Sequence, residues 1–191
     1  MKIKKLKEMK KQLVTAKEGQ KLGISRQLLW HYVKKGWLER VTPGVYRFPE
    51  AKSIDFYSLL REKLVAIPQG IIGFYTALRI HEVTEELPPE IDIIVPQENV
   101  PKRRLQGVRL HRVKGDIYKK GVIKISGIPV TSLERTIIDL LRDGKAIALI
   151  LDVLREARAQ NKPVSLSEIK RLSILFRVKE KVKRLLEAWV S

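Results

Sequence analysis

Apolar residues near the start of the chain recur every three or four positions, with charged residues between them: Ile3, Leu6, Met9 and Leu13. This spacing predicts an amphipathic helix over residues 3–14. The next four residues, Thr-Ala-Lys-Glu at 15–18, match a capping box, in which the threonine hydroxyl accepts a hydrogen bond from a backbone N–H and the glutamate reaches back to another. A second helix is therefore predicted at 16–22, ended by Gly23.

The pattern then predicts a third helix at 26–35, with Ser25 as its N-cap and Gly36 at its end. Two helices joined by a tight, glycine-containing turn have the spacing of a helix-turn-helix. Two short β-prone runs follow at 37–41 and 45–48, joined by a Thr-Pro-Gly turn. Three helices and a small hairpin predict a winged helix-turn-helix.

Beyond a linker at 49–52, helical and β-prone segments are mixed. Helices are predicted at 54–66 with Ser53 as cap, at 74–81, from a second capping box at 131–134 through Leu141, at 146–158, and from a Ser165 cap, with a break, to Trp189. Strands are predicted at 91–95, 108–112, 122–125 and 128–130. The predicted fold class is therefore α+β: a winged helix-turn-helix DNA-binding domain at 1–50, then a mixed α/β domain at 51–191 that ends in helices.

Positive charge is concentrated in two blocks of this sequence. The 191 residues include 39 Lys+Arg and 21 Asp+Glu, a formal net charge of +18. Residues 1–50 carry a net charge of +9 and residues 102–124 a net charge of +8, whereas residues 51–101 carry −4. Basic clusters release counterions when they meet a polyphosphate backbone, so nucleic acid is the expected partner. A charged, solubility-promoting surface and a basic membrane-surface protein are the alternatives.

Composition excludes several other classes of protein. Apolar residues make up 44% of the chain, enough to bury a core. The absence of cysteine excludes disulfides, thiolate zinc sites, iron–sulfur clusters and cysteine nucleophiles. No apolar run approaches the roughly 20 residues of a membrane-spanning helix, and the lysine-rich start lacks the apolar stretch of a signal peptide. We expect a cytoplasmic protein without a cofactor.

The predicted third helix has one apolar and one polar face. Leu29, Tyr32 and Val33 share the face expected to pack on the first two helices. The opposite face carries arginine and glutamine. In the major groove, arginine can hydrogen-bond to guanine and glutamine to adenine, and the residues that reach the bases mostly lie at the N-terminal end of the helix. Serine, lysine and wing arginines suit phosphates. The expected DNA-binding residues are Ser25, Arg26, Gln27, Trp30, His31, Lys34 and Lys35 on the helix, and Arg40 and Arg47 on the wing strands.

A second basic surface is predicted on a loop and two strands further along the chain. Its residues are Lys102, Arg103, Arg104, Arg109, Arg112, Lys114, Lys119 and Lys120, with Lys124 nearby. This second basic surface would extend a DNA footprint or bind RNA, and the alternative is a solvated basic edge. Arg135 and Asp139 lie four apart on a predicted helix and are expected to pair with each other.

No motif predicts catalysis or metal binding. The three histidines, His31, His81 and His111, lack metal-ligand spacing and are expected to be structural rather than metal ligands. A phosphate-binding glycine loop, a nucleophile elbow and a zinc-protease helix are absent from the sequence. Glu90 and Asp92 alternate at a strand start as metal-binding carboxylates do, but no acid-x-Lys follows on the next strand, so a metal-dependent nuclease is the less favoured alternative. We expect no catalytic residue and no enzyme.

Several motifs taken together resemble the AbiEi-type antitoxins of type IV toxin–antitoxin systems. Four segments resemble the N-terminal domain of that family: Leu-Gly-Ile-Ser at 22–25, Val-Lys-Lys-Gly at 33–36, Leu-Glu-Arg-Val at 38–41 and Pro-Gly-Val-Tyr-Arg at 43–47. The antitoxin domain is resembled by Thr-Ala-Leu at 76–78 with His81, and by the segments at 91–96, 107–112, 127–132 and 134–141. The resemblance spans roughly residues 12–158.

The resemblance implies a winged helix-turn-helix that binds double-stranded operator DNA at inverted repeats and represses its own operon. It also implies that the C-terminal domain neutralises a co-encoded nucleotidyltransferase-like toxin, without a stable complex being required. A winged-helix repressor unconnected to a toxin is the alternative.

Overall fold

The computed structural model describes residues 2–9, 13–51, 55–101 and 105–190, and the fold class is α+β as predicted. The chain forms two compact units, residues 1–68 and residues 69–191. The sequence places the boundary between two domains after residue 50, whereas the structure keeps the following helix with the first unit. No helix within the described ranges is both long and apolar enough to cross a membrane.

Within its described residues, the first unit combines four α-helices with a three-stranded antiparallel sheet. Its elements are α1 (Lys2–Glu8), β1 (Leu13–Thr15), α2 (Ala16–Lys21), α3 (Arg26–Lys34), β2 (Glu39–Thr42), β3 (Val45–Arg47), a 3₁₀ turn at Pro49–Ala51, and α4 (Phe56–Ala66). The strand order is β1-β3-β2. Side chains from α1, β1, α3 and β3 form one hydrophobic core, which includes Leu6, Val14, Leu29 and Tyr46. This arrangement is the predicted winged helix-turn-helix with one more strand.

The predicted first helix is too long. The helix ends at Glu8, and Leu13 lies instead in β1, where it pairs with Arg47 of β3. The physical reason is that Val14 and Thr15 are β-prone and the segment pairs with the edge of β3, so a tertiary contact overrides the helical spacing. The intervening residues 10–12 lie outside the described residues.

The segment that follows the wing also differs from its prediction. The expected linker begins as a 3₁₀ turn, and α4 starts at Phe56, two residues later than expected. Its N-cap is Asp55, whose carboxylate accepts a hydrogen bond from the Ser58 N–H at 2.8 Å. The expected cap, Ser53, lies outside the described residues.

The second unit is a five-stranded mixed sheet with helices packed against it. Its elements are β4 (Ile71–Ile72), α5 (Phe74–Ile80), β5 (Ile91–Pro96), β6 (Val108–Val113), α6 (Gly115–Tyr118), β7 (Val122–Ile125), β8 (Ile128–Thr131), α7 (Leu133–Arg142), α8 (Ile147–Ala159), α9 (Leu166–Leu175) and α10 (Lys179–Val190). The strand order is β6-β5-β4-β8-β7, with β5–β6 and β4–β8 parallel and the other pairs antiparallel. The core joins the sheet to α5, α7, α8, α9 and α10.

Most of the predicted elements of this unit are present, and the short ones were missed. The two-residue β4 and the single-turn α6 have too few residues to produce a hydrophobic period. The second capping box is wrong, because Thr131 belongs to β8 and α7 is capped by Ser132. Glu134 instead accepts a hydrogen bond from the Ser165 N–H at 3.0 Å. The predicted break in the last helical region separates α9 from α10.

Candidate nucleic-acid interface

The helix-turn-helix is held together by short-range contacts that the sequence predicts. Thr15 Oγ1 accepts a hydrogen bond from the Glu18 N–H at 3.1 Å, and Glu18 Oε2 accepts one from the Thr15 N–H at 2.8 Å, which completes the capping box of α2. Gly23, at φ +72°, makes the turn. Ser25 caps α3 by accepting from the Leu28 N–H at 3.2 Å. These contacts set where α3 begins.

Two buried side chains of α3 and one glycine of α2 allow α3 to pack closely against the rest of the first unit. Leu29 and Tyr32 are buried, and Val33 is half-buried beside them. A Cβ atom added to Gly19 of α2 would lie 3.2 Å from Leu29 Cδ1, so the missing side chain at Gly19 lets the two helices approach closely. The apolar face of α3 therefore points inward as the sequence predicts.

The opposite side, here called the polar face of α3, is exposed along its whole length. Its residues are Ser25, Arg26, Gln27, Trp30, His31, Lys34 and Lys35. Trp30 is 54% exposed, and Lys34 Nζ lies 4.0 Å from the centroid of its ring. A cation over an indole is held by the ring quadrupole, so the ammonium of Lys34 is oriented on this face.

The two wing arginines have different surroundings. Arg40 of β2 is exposed. Arg47 of β3 is paired twice, with Nε 2.9 Å from Glu39 Oε2 and an Nη1 atom 3.1 Å from Glu62 Oε2 on α4. A guanidinium held by two carboxylates is compensated within the protein, so the structure does not favour the predicted phosphate contact by Arg47.

The second basic surface is only partly described. Lys102, Arg103 and Arg104 lie outside the described residues. The remaining members are all exposed: Arg109, Arg112, Lys114, Lys119 and Lys120. Arg109 Nε lies 3.2 Å from Glu90 Oε2, and Arg109 and Arg112 lie on opposite faces of β6 because side chains alternate along a strand. These positive charges are therefore divided between two faces.

The two strand carboxylates of the nuclease alternative are in different environments. Glu90 pairs with Arg109, whereas Asp92 is buried and its Oδ1 lies 2.8 Å from His111 Nε2. The His111 ring also stacks on Phe74, with ring centroids 3.6 Å apart. Among the described residues, no group of three or more histidines, aspartates or glutamates is placed to hold a metal ion. Both carboxylates thus have basic partners on β6.

Arg135 and Asp139 of α7 form a fully buried ion pair, as their spacing predicts. Arg135 Nε lies 2.8 Å from Asp139 Oδ2, and neither side chain is exposed. Burial raises the pKa of the Asp139 carboxyl above its ordinary value, and the Arg135 guanidinium opposes that rise. The backbone carbonyls of Ile117 and Lys120 accept hydrogen bonds from the same guanidinium. The buried pair therefore links α7 to the segment at 117–120 within the second unit.

His81 also has a structural environment. Its Nε2 lies 2.7 Å from the carbonyl oxygen of Thr131, and its own carbonyl accepts a hydrogen bond from Lys162 Nζ at 2.6 Å. Burial lowers the pKa of His81, while the Thr131 carbonyl raises it. The neutral ring is therefore favoured, as expected of a histidine used in packing.

Sequence reasoning missed Glu62 and Phe74, the residues that determine the surroundings of Arg47 and His111. Phe74 adopts φ +52° where β4 turns into α5. Neither residue carries a local signal, since each acts on a partner that is distant in the chain.

Comparison with known proteins supports the resemblance seen in the sequence. Residues 1–49 match the family described as "Transcriptional regulator, AbiEi antitoxin". The resemblance is thereby confirmed for the N-terminal region, and the match does not extend to the later motifs. No curated protein matches the sequence.

One solved structure with a similar fold is the crystal structure of the RV2827C protein from Mycobacterium tuberculosis. It has a TM-score of 0.59 and 15% sequence identity, and the alignment covers 93% of this chain and 76% of that chain. At this identity the likeness concerns the fold alone.

Proposed function

We propose that this chain, whose N-terminal residues match the AbiEi antitoxin transcriptional regulators, is an operator-binding repressor of its own operon and the antitoxin of a co-encoded nucleotidyltransferase-like toxin. The family matched is one of regulators. The single observation that carries the DNA-binding part is the polar face of α3, which is exposed from Ser25 to Lys35 within a winged helix-turn-helix.

The dimensions of α3 suit the major groove. Nine residues make a helix about 13 Å long, and a helix with its side chains is about 10–12 Å wide, close to the width of the groove. Arg26 and Gln27 occupy the first turn, the end of a recognition helix that reaches base edges. Lys34 and Lys35 lie at the other end and suit the phosphate backbone.

DNA binding is tested with a labelled duplex from the region upstream of the gene and a random duplex of equal length. The variant Arg26→Ala/Gln27→Ala should lose preference for the upstream duplex, because the base-reading groups are gone while the lysines remain. Arg158→Ala, which removes an exposed charge from α8, is the matched control. An unchanged preference in the double variant would contradict groove reading by α3.

The antitoxin part rests on the resemblance of the later motifs to the antitoxin domain. Its test is co-expression with the nucleotidyltransferase-like protein encoded beside the gene. The wild-type chain should restore growth, and Arg26→Ala/Gln27→Ala should do so equally, since the resemblance assigns neutralisation to the C-terminal domain. If neither restores growth, the antitoxin proposal fails and a repressor unconnected to a toxin remains.

A further inference from the structure

Two exposed apolar side chains of the second unit, Ile174 and Val190, line the same groove. Nine large hydrophobic residues of the described chain are exposed, and four of these lie in α9 or α10: Leu166, Ile174, Leu175 and Val190. Single exposed apolar residues are ordinary, whereas a contiguous group beside a concave surface is typical of an interaction site.

A groove runs between α9 and α10, with a volume of about 820 Å³. Ile174 of α9 is 66% exposed and Val190 of α10 is 85% exposed. Leu186 and the buried Val182, both of α10, line the groove as well. This α9–α10 groove offers apolar contact along the length of α10, about 18 Å for 12 residues.

The surroundings of the α9–α10 groove are basic. Residues 166–190 contain seven Lys+Arg and three Asp+Glu. Lys183 Nζ lies 4.0 Å from Glu187 Oε1, so the charges of these two lining residues compensate each other. Lys170, Lys179 and Glu180 also line the groove, so its lining carries three lysines and two glutamates. Neither Lys170 nor Lys179 has an acidic partner within the described part of the chain, which leaves a net positive charge for a partner to meet.

We propose that the α9–α10 groove binds an amphipathic helix, presented by a partner protein, whose apolar face is flanked by acidic residues. A helix of about three turns matches the length of α10, and its apolar residues at i, i+3, i+4 and i+7 would contact Ile174, Leu186 and Val190. The acidic residues beside them would meet Lys170 and Lys179. A second copy of this chain is disfavoured, because two surfaces of the same positive charge would face each other.

The probe is a synthetic, fluorescently labelled helical peptide of about four turns with leucine at i, i+3, i+4 and i+7 and glutamate elsewhere. Its control carries lysine in place of glutamate. Fluorescence anisotropy should show that the full chain binds the glutamate peptide at least about tenfold more tightly than the lysine peptide.

Two variants test the site itself. Ile174→Glu and Lys179→Glu should each weaken binding of the glutamate peptide about tenfold, since one removes apolar contact and the other reverses a rim charge. Leu87→Glu is the matched control, because Leu87 is also 66% exposed but lies outside the groove. Circular dichroism and operator binding, which should be unchanged in all three, check that the variants fold.

Three outcomes overturn the proposal. The first is equal binding of the two peptides or equal effects of Ile174→Glu and Leu87→Glu. The second is self-association in analytical ultracentrifugation that Ile174→Glu abolishes, which assigns the groove to a second copy. The third is binding to vesicles of equal parts phosphatidylcholine and phosphatidylglycerol that Ile174→Glu abolishes and Leu87→Glu does not, which assigns the groove to a lipid surface. Because operator binding is measured separately, failure here leaves the proposed DNA-binding function intact.

Discussion

At the scale of single residues, the neighbours of a side chain decide its role more than its identity does. Arg40 and Arg47 lie on adjacent strands of the same hairpin, yet Arg40 is exposed and Arg47 is paired with Glu39 and Glu62. Composition and spacing predict both as phosphate contacts. Glu39 faces Arg47 across the hairpin, and Glu62 reaches it from a helix 15 residues later, so only the fold shows the compensation.

The ends of α3 should be distinguishable by single substitutions. Gln27→Ala should weaken binding by about 1–3 kcal/mol for duplexes with the preferred base pair at one position, and little for others. Lys34→Ala should weaken binding to every duplex and reduce the slope of log affinity against log salt by about 1, because one phosphate contact is lost. Anisotropy titrations over a salt series measure both. If the two variants had the same affinity and salt profiles, Gln27 would not contact bases and Lys34 would not contact phosphates in the distinct ways proposed here.

The stability of the second unit should depend on pH through His81. Burial lowers the pKa of His81 from an ordinary value of 6.5, so below that pH the unfolded chain binds a proton that the folded chain resists. This contribution is fully present above pH 6.5 and is lost as the pH falls through the lowered value. Urea unfolding between neutral and acidic pH should show it in the wild type and not in His81→Gln. Identical pH profiles would refute the assignment.

At the scale of elements, helix starts were predicted well where the signal lies within four residues. The capping box of α2 and the serine caps of α3 and α9 are present at the expected residues. The same kind of pattern failed at Thr131, where β8 pairs with β7 and takes that residue into the sheet. At Thr131 the pairing between strands therefore overrides the local signal.

Helix α7 carries the buried ion pair between Arg135 and Asp139, on which the stability of the second unit should depend. Asp139→Asn leaves the Arg135 guanidinium buried without its counter-charge, and we expect it to lower the free energy of unfolding by about 3–5 kcal/mol. Asp152→Asn, which breaks the exposed pair with Arg155, should have little effect. Chemical denaturation measures both. A similar small loss in the two variants would show that the stability of the second unit does not depend on the buried pair.

A second substitution tests the close contact beside α7. Gly121 has φ +66°, and a Cβ atom there would lie 2.7 Å from Arg135 Cβ. Gly121→Ala should therefore destabilise the protein through both backbone strain and overlap. Gly127→Ala, also at positive φ but with no neighbour within 4 Å, separates the two effects in the same denaturation experiment. Equal losses would mean that strain alone accounts for the change.

At the scale of the whole molecule, positive charge is present in both units. The polar face of α3 belongs to the first, and the described members of the second basic surface belong to the second. The high net charge agrees with a polyanionic partner, and it does not say which unit supplies the contacts.

The length of the DNA should reveal whether both units take part. Lys119→Ala/Lys120→Ala should reduce the salt slope for a duplex long enough to reach both units by about 2, and should leave binding to a short duplex that fits α3 alone unchanged. Arg158→Ala is again the control. An unchanged slope on the long duplex would make the second basic surface a solvated edge.

By itself, the sequence determined the helix-turn-helix, the caps of α2, α3 and α9, the exposed polar face of α3 and the pairing of Arg135 with Asp139. All of these depend on residues a few positions apart, within one turn or one helix face. Only the tertiary structure decided the strand at Leu13, the partners of Arg47 and the α9–α10 groove. Each of these joins segments that are distant in the chain. The free energy that favours one such pairing over another comes from contacts between those segments, so no local sequence pattern predicts it.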